Sequence, residues 1–360
     1  MKSEYEKEII EYLKIQKKEV INSSKPFNYG LAILKTILAF LVVIAHQFKP
    51  NSTKNKLIVN IFSKNRNFHV PSFFIMSFYF TCNNLLSLNP KKILNRFIRL
   101  FIPYFGWPII ILQINRKYNQ IFKAKFPESI EALKYQLLWG DGYVGQFWFQ
   151  WDLIVTTFLF VIIIFTFRKN CLFILILVLI LFYYFQYTGN YLQKYLYLKK
   201  TKNYPVERMF EMIPFGVTGF IIGYFYIINK INKYKFQTLV ISYITYHIVN
   251  NYQLFRKVKI SMYSGIEFNI KSICAIFIFS LFPSDKITDK YLQKVFNLLA
   301  NYSAGPFYLH ISIRNYCNKF IDEIKNKTFL GTVYNFLICY SISVVGDLIF
   351  GKTPLKYLFC

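Results

Sequence analysis

Two ionisable residues, Lys35 and His46, sit inside one apolar run, Leu31-Ala-Ile-Leu-Lys-Thr-Ile-Leu-Ala-Phe-Leu-Val-Val-Ile-Ala-His-Gln-Phe48. Eleven steps of about 100° total about 1100°, only about 20° beyond three turns, so both side chains share one helix face, about 16 Å apart along the axis. Ionisable groups inside a membrane span are costly and by default mark function. Histidine, with an ordinary pKa near neutrality, suits proton abstraction. A cation near one surface and an imidazole near the other form two ends of a reaction path. The competing reading is a pair that snorkels to opposite interfaces. A second pair is Arg96-Phe-Ile-Arg99, ahead of another apolar run. Spacing i, i+3 puts both guanidiniums on one helix face at the cytoplasmic edge, where planar forks can grip phosphate. A generic basic flank of a span competes with that reading.

These residues need a scaffold, and the composition indicates which. Of 360 residues, 54% are hydrophobic and 20% aromatic, too apolar for an ordinary soluble domain. About ten runs are long enough to cross a bilayer, near 31–48, 69–87, 98–114, 147–166, 171–187, 209–228, 236–254, 267–283, 295–313 and 329–350. The expectation is an all-α, polytopic membrane protein, a bundle of about ten transmembrane helices. Residues 1–30 read as a cytoplasmic, amphipathic N-terminal segment and 31–360 as a single transmembrane domain. No cleavable signal pattern is present, so the first span serves as its own signal. Short basic connectors near 88–97, 167–170 and 229–235 favour cytoplasmic N- and C-termini, while the basic stretch 255–266 falls on the opposite side. The sequons at Asn51 and Asn326 lie in loops on the lumenal side of that topology.

The net charge of +27 raises nucleic acid as a partner, but Lys and Arg lie in connectors, interleaved with Tyr and Phe at span ends. That is the pattern of snorkelling cations and an aromatic belt, and it excludes nucleic acid from the expected partners. The six cysteines lack CxxC spacing and read as packing residues, neither a disulfide framework nor a metal site. No HExxH, Walker loop or dinucleotide-binding glycine motif occurs. Further candidates are Arg208, a vestibule residue or a solvated ion-pair member beside Glu207 and Glu211, and Trp148 with Trp151, sugar-stacking or interfacial. Tyr308 and His310 stand to contact an acceptor, or to pack. His69 and His247 read as interfacial, and Asp152 or Asp347 can pair with a bundle cation.

Taken in order, these features resemble the acyltransferase-3 family, the ten-helix membrane acyltransferases of glycans and lipids. Lys35 and His46 match its first-helix basic residue, ten residues, then histidine. His69-Val-Pro-Ser-Phe-Phe-Ile-Met-Ser77 echoes the start of its second helix, and Arg96 through Pro103 its RxxR segment followed by an apolar pair and proline. Gln146-Phe-Trp-Phe-Gln-Trp151, Pro214-Phe-Gly-Val-Thr-Gly-Phe-Ile-Ile-Gly-Tyr224 and Pro306-Phe-Tyr-Leu-His310 resemble its later motifs. Phe78 replaces the glycine that follows the second-helix serine, which bears on packing or pore width there. Lysine is the less usual basic choice at 35.

The resemblance implies acyl transfer across a membrane, with no permanently bound cofactor. Acyl-CoA, acetyl-CoA first among candidates, is the implied co-substrate, bound from the cytosol with Arg96 and Arg99 on its phosphates. Its pantetheine arm passes Lys35 to bring the thioester to His46. The acceptor is a hydroxyl of an extracytoplasmic glycan or lipid, with His46 as general base or, alternatively, nucleophile. The implied location is integral and multi-pass, in a bacterial inner membrane or a eukaryotic endomembrane or plasma membrane. A secondary transporter using Lys35, His46 and His310 as a proton or substrate path is the alternative, although no internal repeat supports it.

Overall fold

The computed structural model describes residues 28–48, 68–117, 147–188, 204–251, 266–282 and 289–359. Among these residues every regular element is a helix. Helix α1 (Tyr29–Gln47) opens at Asn28, whose side-chain oxygen accepts the Leu31 N–H at 3.0 Å while its amide donates to the Ser280 carbonyl. One residue thus caps the helix and ties it to a neighbour. Helix α2 (His69–Leu86) passes into α3 (Pro90–Lys117) through a tight turn. Leu88 adopts a left-handed φ of 45°, Asn89 accepts the N–H groups of Lys91 and Lys92, and Pro90 takes the first helical position.

Helices α4 (Trp148–Phe167) and α5 (Cys171–Thr188) are joined by one 3-10 turn, with Arg168 at φ 39°. There follow α6 (Tyr204–Tyr224), the short α7 (Ile227–Ile231), α8 (Lys235–Asn251) and α9 (Ile266–Ser280). The chain then forms α10 (Lys290–Tyr302), α11 (Ala304–Cys317), the single-turn α12 (Asp322–Lys325), α13 (Phe329–Phe350) and a closing 3-10 turn, Pro354–Leu358. Nine of the ten expected runs coincide with one main helix each. The run 295–313 does not, because the helix breaks at Ser303 and continues as α11.

Helix α1 is the axis of the bundle. It packs against α2, α9, α10, α11 and α13, and twelve of its nineteen residues are buried. The most extensive helix contact joins α2 to α6. A Cβ added at Gly219 would lie 2.1 Å from the Ile75 carbonyl oxygen, so only glycine permits that backbone approach. Gly216 eases the fit of Phe78 less stringently. Phe78 is fully buried against Phe160, with ring centroids 4.7 Å apart, and a Cβ at Gly216 would stand 3.3 Å from its ring. The bulk at position 78 is therefore matched by a missing side chain on the facing helix.

Among the described residues, three helical stretches are by length and composition long and apolar enough to cross a membrane: Tyr29–Gln47, Trp148–Tyr184 and Phe329–Phe350. Glu211–Tyr224 with Ile227–Asn250, bent by 58°, qualifies as a pair. This is fewer than the ten spans expected. Helices α8, α9, α10 and α11, at 17, 15, 13 and 14 residues, fall short in length, and α3 carries prolines and paired arginines. Large apolar side chains nevertheless face outward, among them Phe158, Phe173, Phe236, Ile241 and Leu348. The expected N-terminal segment lies outside the described residues except for 28–30, as do Asn51 and Cys360.

Candidate active site around His46

His46 ends α1 exposed, with its neighbour Gln47 buried. Its ring lies 5.0 Å, centroid to centroid, from that of His310 on α11, with the two planes at 37°. The backbone around both rings is fixed by side chains that sequence reasoning did not single out. Arg314 donates to the His46 carbonyl at 2.7 Å. Asn335 on α13 donates to the His310 carbonyl at 2.9 Å and to Gln47 Oε1, while Gln47 donates to the Gly331 carbonyl at 3.0 Å. Two signals were present in the chain. Arg314 follows His310 by four residues and so shares its face, and Asn335 is an amide within an apolar run.

His69, expected at an interface, is instead buried at the start of α2, within electrostatic reach of His46. His69, His46 and His310 thus gather at one end of the bundle. His247 lies apart on α8, exposed beside Tyr243.

Lys35 shares the face of His46 that looks toward α10 and α11. Its ammonium donates to the Ala300 carbonyl at 3.2 Å, and Thr36 donates to the Leu299 carbonyl at 3.2 Å. Tyr340 of α13 donates to the Leu298 carbonyl at 2.6 Å. Ending α10 at Ser303 frees carbonyls that need donors, and a cation at a helix C-terminus also complements the macrodipole. Lys35 therefore caps the break from which α11, with Tyr308 and His310, begins.

The arginine pair diverges. Arg96 turns into the bundle, donating to Ser77 Oγ at 2.7 Å, with its guanidinium 5.7 Å above the Phe78 ring. Arg99 is exposed and covers the Tyr357 ring at 5.3 Å. Their charges still interact with each other, and that of Arg96 also interacts with Tyr308. Tyr308 is buried, stacked on Phe147, and donates to Gln150 Oε1 at 2.9 Å; Gln150 donates in turn to the Leu100 carbonyl. A polar chain thus runs from Ser77 and Arg96 past Tyr308 to the α11 turn that carries His310.

The remaining candidates lie outside this chain. Trp148 is half-buried edge-on to Phe149, while Trp151 stacks on Tyr104 at 5.6 Å. Asp347 accepts from the Tyr302 hydroxyl at 2.6 Å, and Asp152 is buried in α4. Arg208 falls in the first turns of α6, its side chain outside the described ones. The five described cysteines are not joined in disulfides. No group of three or more His, Cys, Asp or Glu able to hold a metal occurs among the described residues.

The arrangement offers two imidazoles, one exposed and one buried, at one end of a polar chain that holds a buried phenol and Arg96, with Arg99 exposed beside it. Such a set can move a proton and hold an anion, and it supplies no redox group of its own. No curated protein and no solved structure matches the chain. A family model described as an acyltransferase domain matches residues 28–350, nearly the whole length. The chain belongs to the acyltransferase-3 family.

Proposed function

We propose that the protein is a multi-pass membrane O-acyltransferase. It moves an acyl group, acetyl in the simplest case, from cytosolic acyl-CoA to a hydroxyl of an extracytoplasmic glycan or lipid. The observation that carries this reading is the central helix α1, which holds Lys35 and His46 on one face toward α10 and α11 and ends beside a second imidazole. Family membership supplies the reaction class. The outward-facing apolar side chains on α4, α5, α8 and α13 support a lipid surrounding, since contiguous apolar patches of this kind are rare in water. Arginine-guided phosphate binding accounts for Arg99, exposed and rotated away from the core, and Arg96 extends the same positive potential inward.

In this reading the acceptor hydroxyl attacks the thioester carbon and His46 takes its proton. The C–O bond forms, the C–S bond breaks, and CoA leaves as the thiol after recovering that proton. Lys35 contributes by holding the α10–α11 break, and so the side chains that face His46. The pantetheine arm then needs to span only the distance between the arginines and His46.

The reading is tested with radiolabelled acetyl-CoA and membranes expressing either wild type or His46→Ala. Expected are label in the lipid or glycan fraction and release of free CoA thiol with wild type, and neither with the variant. Transfer that persists in His46→Ala removes His46 as base. A folded wild type that transfers nothing removes the reaction.

A further inference from the structure

Nδ1 of His310 stands 2.8 Å from the Pro306 carbonyl oxygen and 3.0 Å from that of Phe307. Both partners can only accept, so Nδ1 carries the proton and Nε2 keeps its lone pair. That Nε2 atom is buried and has no hydrogen-bond partner among the described residues. A histidine kept only for packing would have both nitrogens satisfied, because a buried polar atom left unpaired is costly. The ring nearest to it in the site is His46, 5.0 Å away by centroids. A ring nitrogen lies roughly an ångström from its centroid, so a turn of the exposed His46 side chain closes this gap to hydrogen-bond distance.

We propose that His310 is the positioning residue of His46, accepting at Nε2 the N–H of the His46 ring nitrogen that does not face the acceptor. This rests on the acyl-transfer reading above. The contact fixes which His46 nitrogen is free to take the hydroxyl proton. When that proton arrives, His46 becomes an imidazolium whose second N–H is already held. The proton returns to the leaving CoA sulfur, and both rings end as they began. The Pro306 and Phe307 carbonyls anchor the far side of His310 as a fixed third group, the arrangement by which a base is oriented in hydrolytic triads. Arg314 and Asn335 hold the two histidine backbones in register.

Two substitutions separate this role from a structural one. The amide of Asn at 310 can keep the donor to the carbonyls of Pro306 and Phe307 but offers nothing where Nε2 was. Gln at 310 offers an acceptor near Nε2 and loses the donor. With radiolabelled acetyl-CoA and detergent-extracted, monodisperse protein, His310→Asn is expected to lose about a hundredfold in kcat at unchanged KM for acetyl-CoA. His310→Gln is expected to exceed it by about tenfold. The reverse order, with His310→Asn close to wild type and His310→Gln impaired, overturns the assignment. Should His310→Asn not fold, His310→Gln decides: substantial kcat supports the acceptor role, and a folded inactive protein refutes it. Absence of transfer by the wild type removes the acyl-transfer reading and this assignment with it, whereas transfer that survives in His310→Asn removes the assignment alone.

Discussion

Replacing Lys35 by methionine keeps the length and apolar stem of the side chain and removes one contact, the ammonium bond to the Ala300 carbonyl at 3.2 Å. A hydrogen bond from a charged donor contributes about 1.5–3 kcal/mol. Two features of the site hold the loss at the low end. Ser303 Oγ also donates to the Ala300 carbonyl, at 3.0 Å, so that oxygen is not left unpaired. Removing the ammonium also relieves its own desolvation. The expected destabilisation is therefore about 1.5 kcal/mol, seen as a thermal midpoint lower by a few degrees. Thermal unfolding of the detergent-solubilised protein, followed by tryptophan fluorescence, reads this directly. Because α11 starts from the break that Lys35 caps, transfer activity should fall several-fold in Lys35→Met and recover in Lys35→Arg, which can still donate to the carbonyl. The reasoning is refuted by a Lys35→Met protein with an unchanged midpoint and no activity. Such a result would make Lys35 a group that acts on substrate.

Three further outcomes follow from the packing and the polar chain. Gly219→Ala places a Cβ 2.1 Å from the Ile75 carbonyl oxygen, a backbone atom that cannot swing aside, so the yield of monodisperse protein should collapse; a normal yield would mean that α2 and α6 are not so close. Arg99→Gln should raise KM for acetyl-CoA by about tenfold, an effect that shrinks at high salt, and leave kcat unchanged, whereas Arg96→Gln, which also loses Ser77 and the Phe78 ring, should lower kcat as well. Asn335→Ala strips the donor from the buried Gln47 Oε1, costing about 1–3 kcal/mol, while the His310 carbonyl keeps its bond within α11, and activity should fall with stability; equal stability in denaturant titration would contradict the contact.

How far the sequence disclosed this arrangement differs from element to element. Helix α1 was legible because the run 31–48 is almost wholly apolar, and the shared face of Lys35 and His46 follows from helical geometry alone; the cap at Asn28 emerged only in the structure. The break at Ser303 was not read, although Ala304-Gly-Pro306 carries a helix-start signal, because the run 295–313 stays apolar on average across it. That break decides what Lys35 touches. The divergence of Arg96 and Arg99 could not be foreseen from i, i+3 spacing, which fixes their relation on α3 but not which of them faces α2. Phe78 looked like an obstacle because its compensation, Gly216, lies 138 positions further along the chain on another helix. The lone pair of His310 depends on the carbonyls of Pro306 and Phe307, a matter of backbone geometry that no pattern of residue types expresses.

The central claim is that an acyl group passes from a cytosolic donor to an acceptor on the other side through His46. The most direct measurement uses sealed, inside-out membrane vesicles given radiolabelled acetyl-CoA, to which the bilayer is impermeable, on the outer, formerly cytosolic face. The account predicts ester-linked label on acceptors inside the vesicles with wild type and none with His46→Ala. Label confined to the outer face, or equal internal label with the variant, would contradict it.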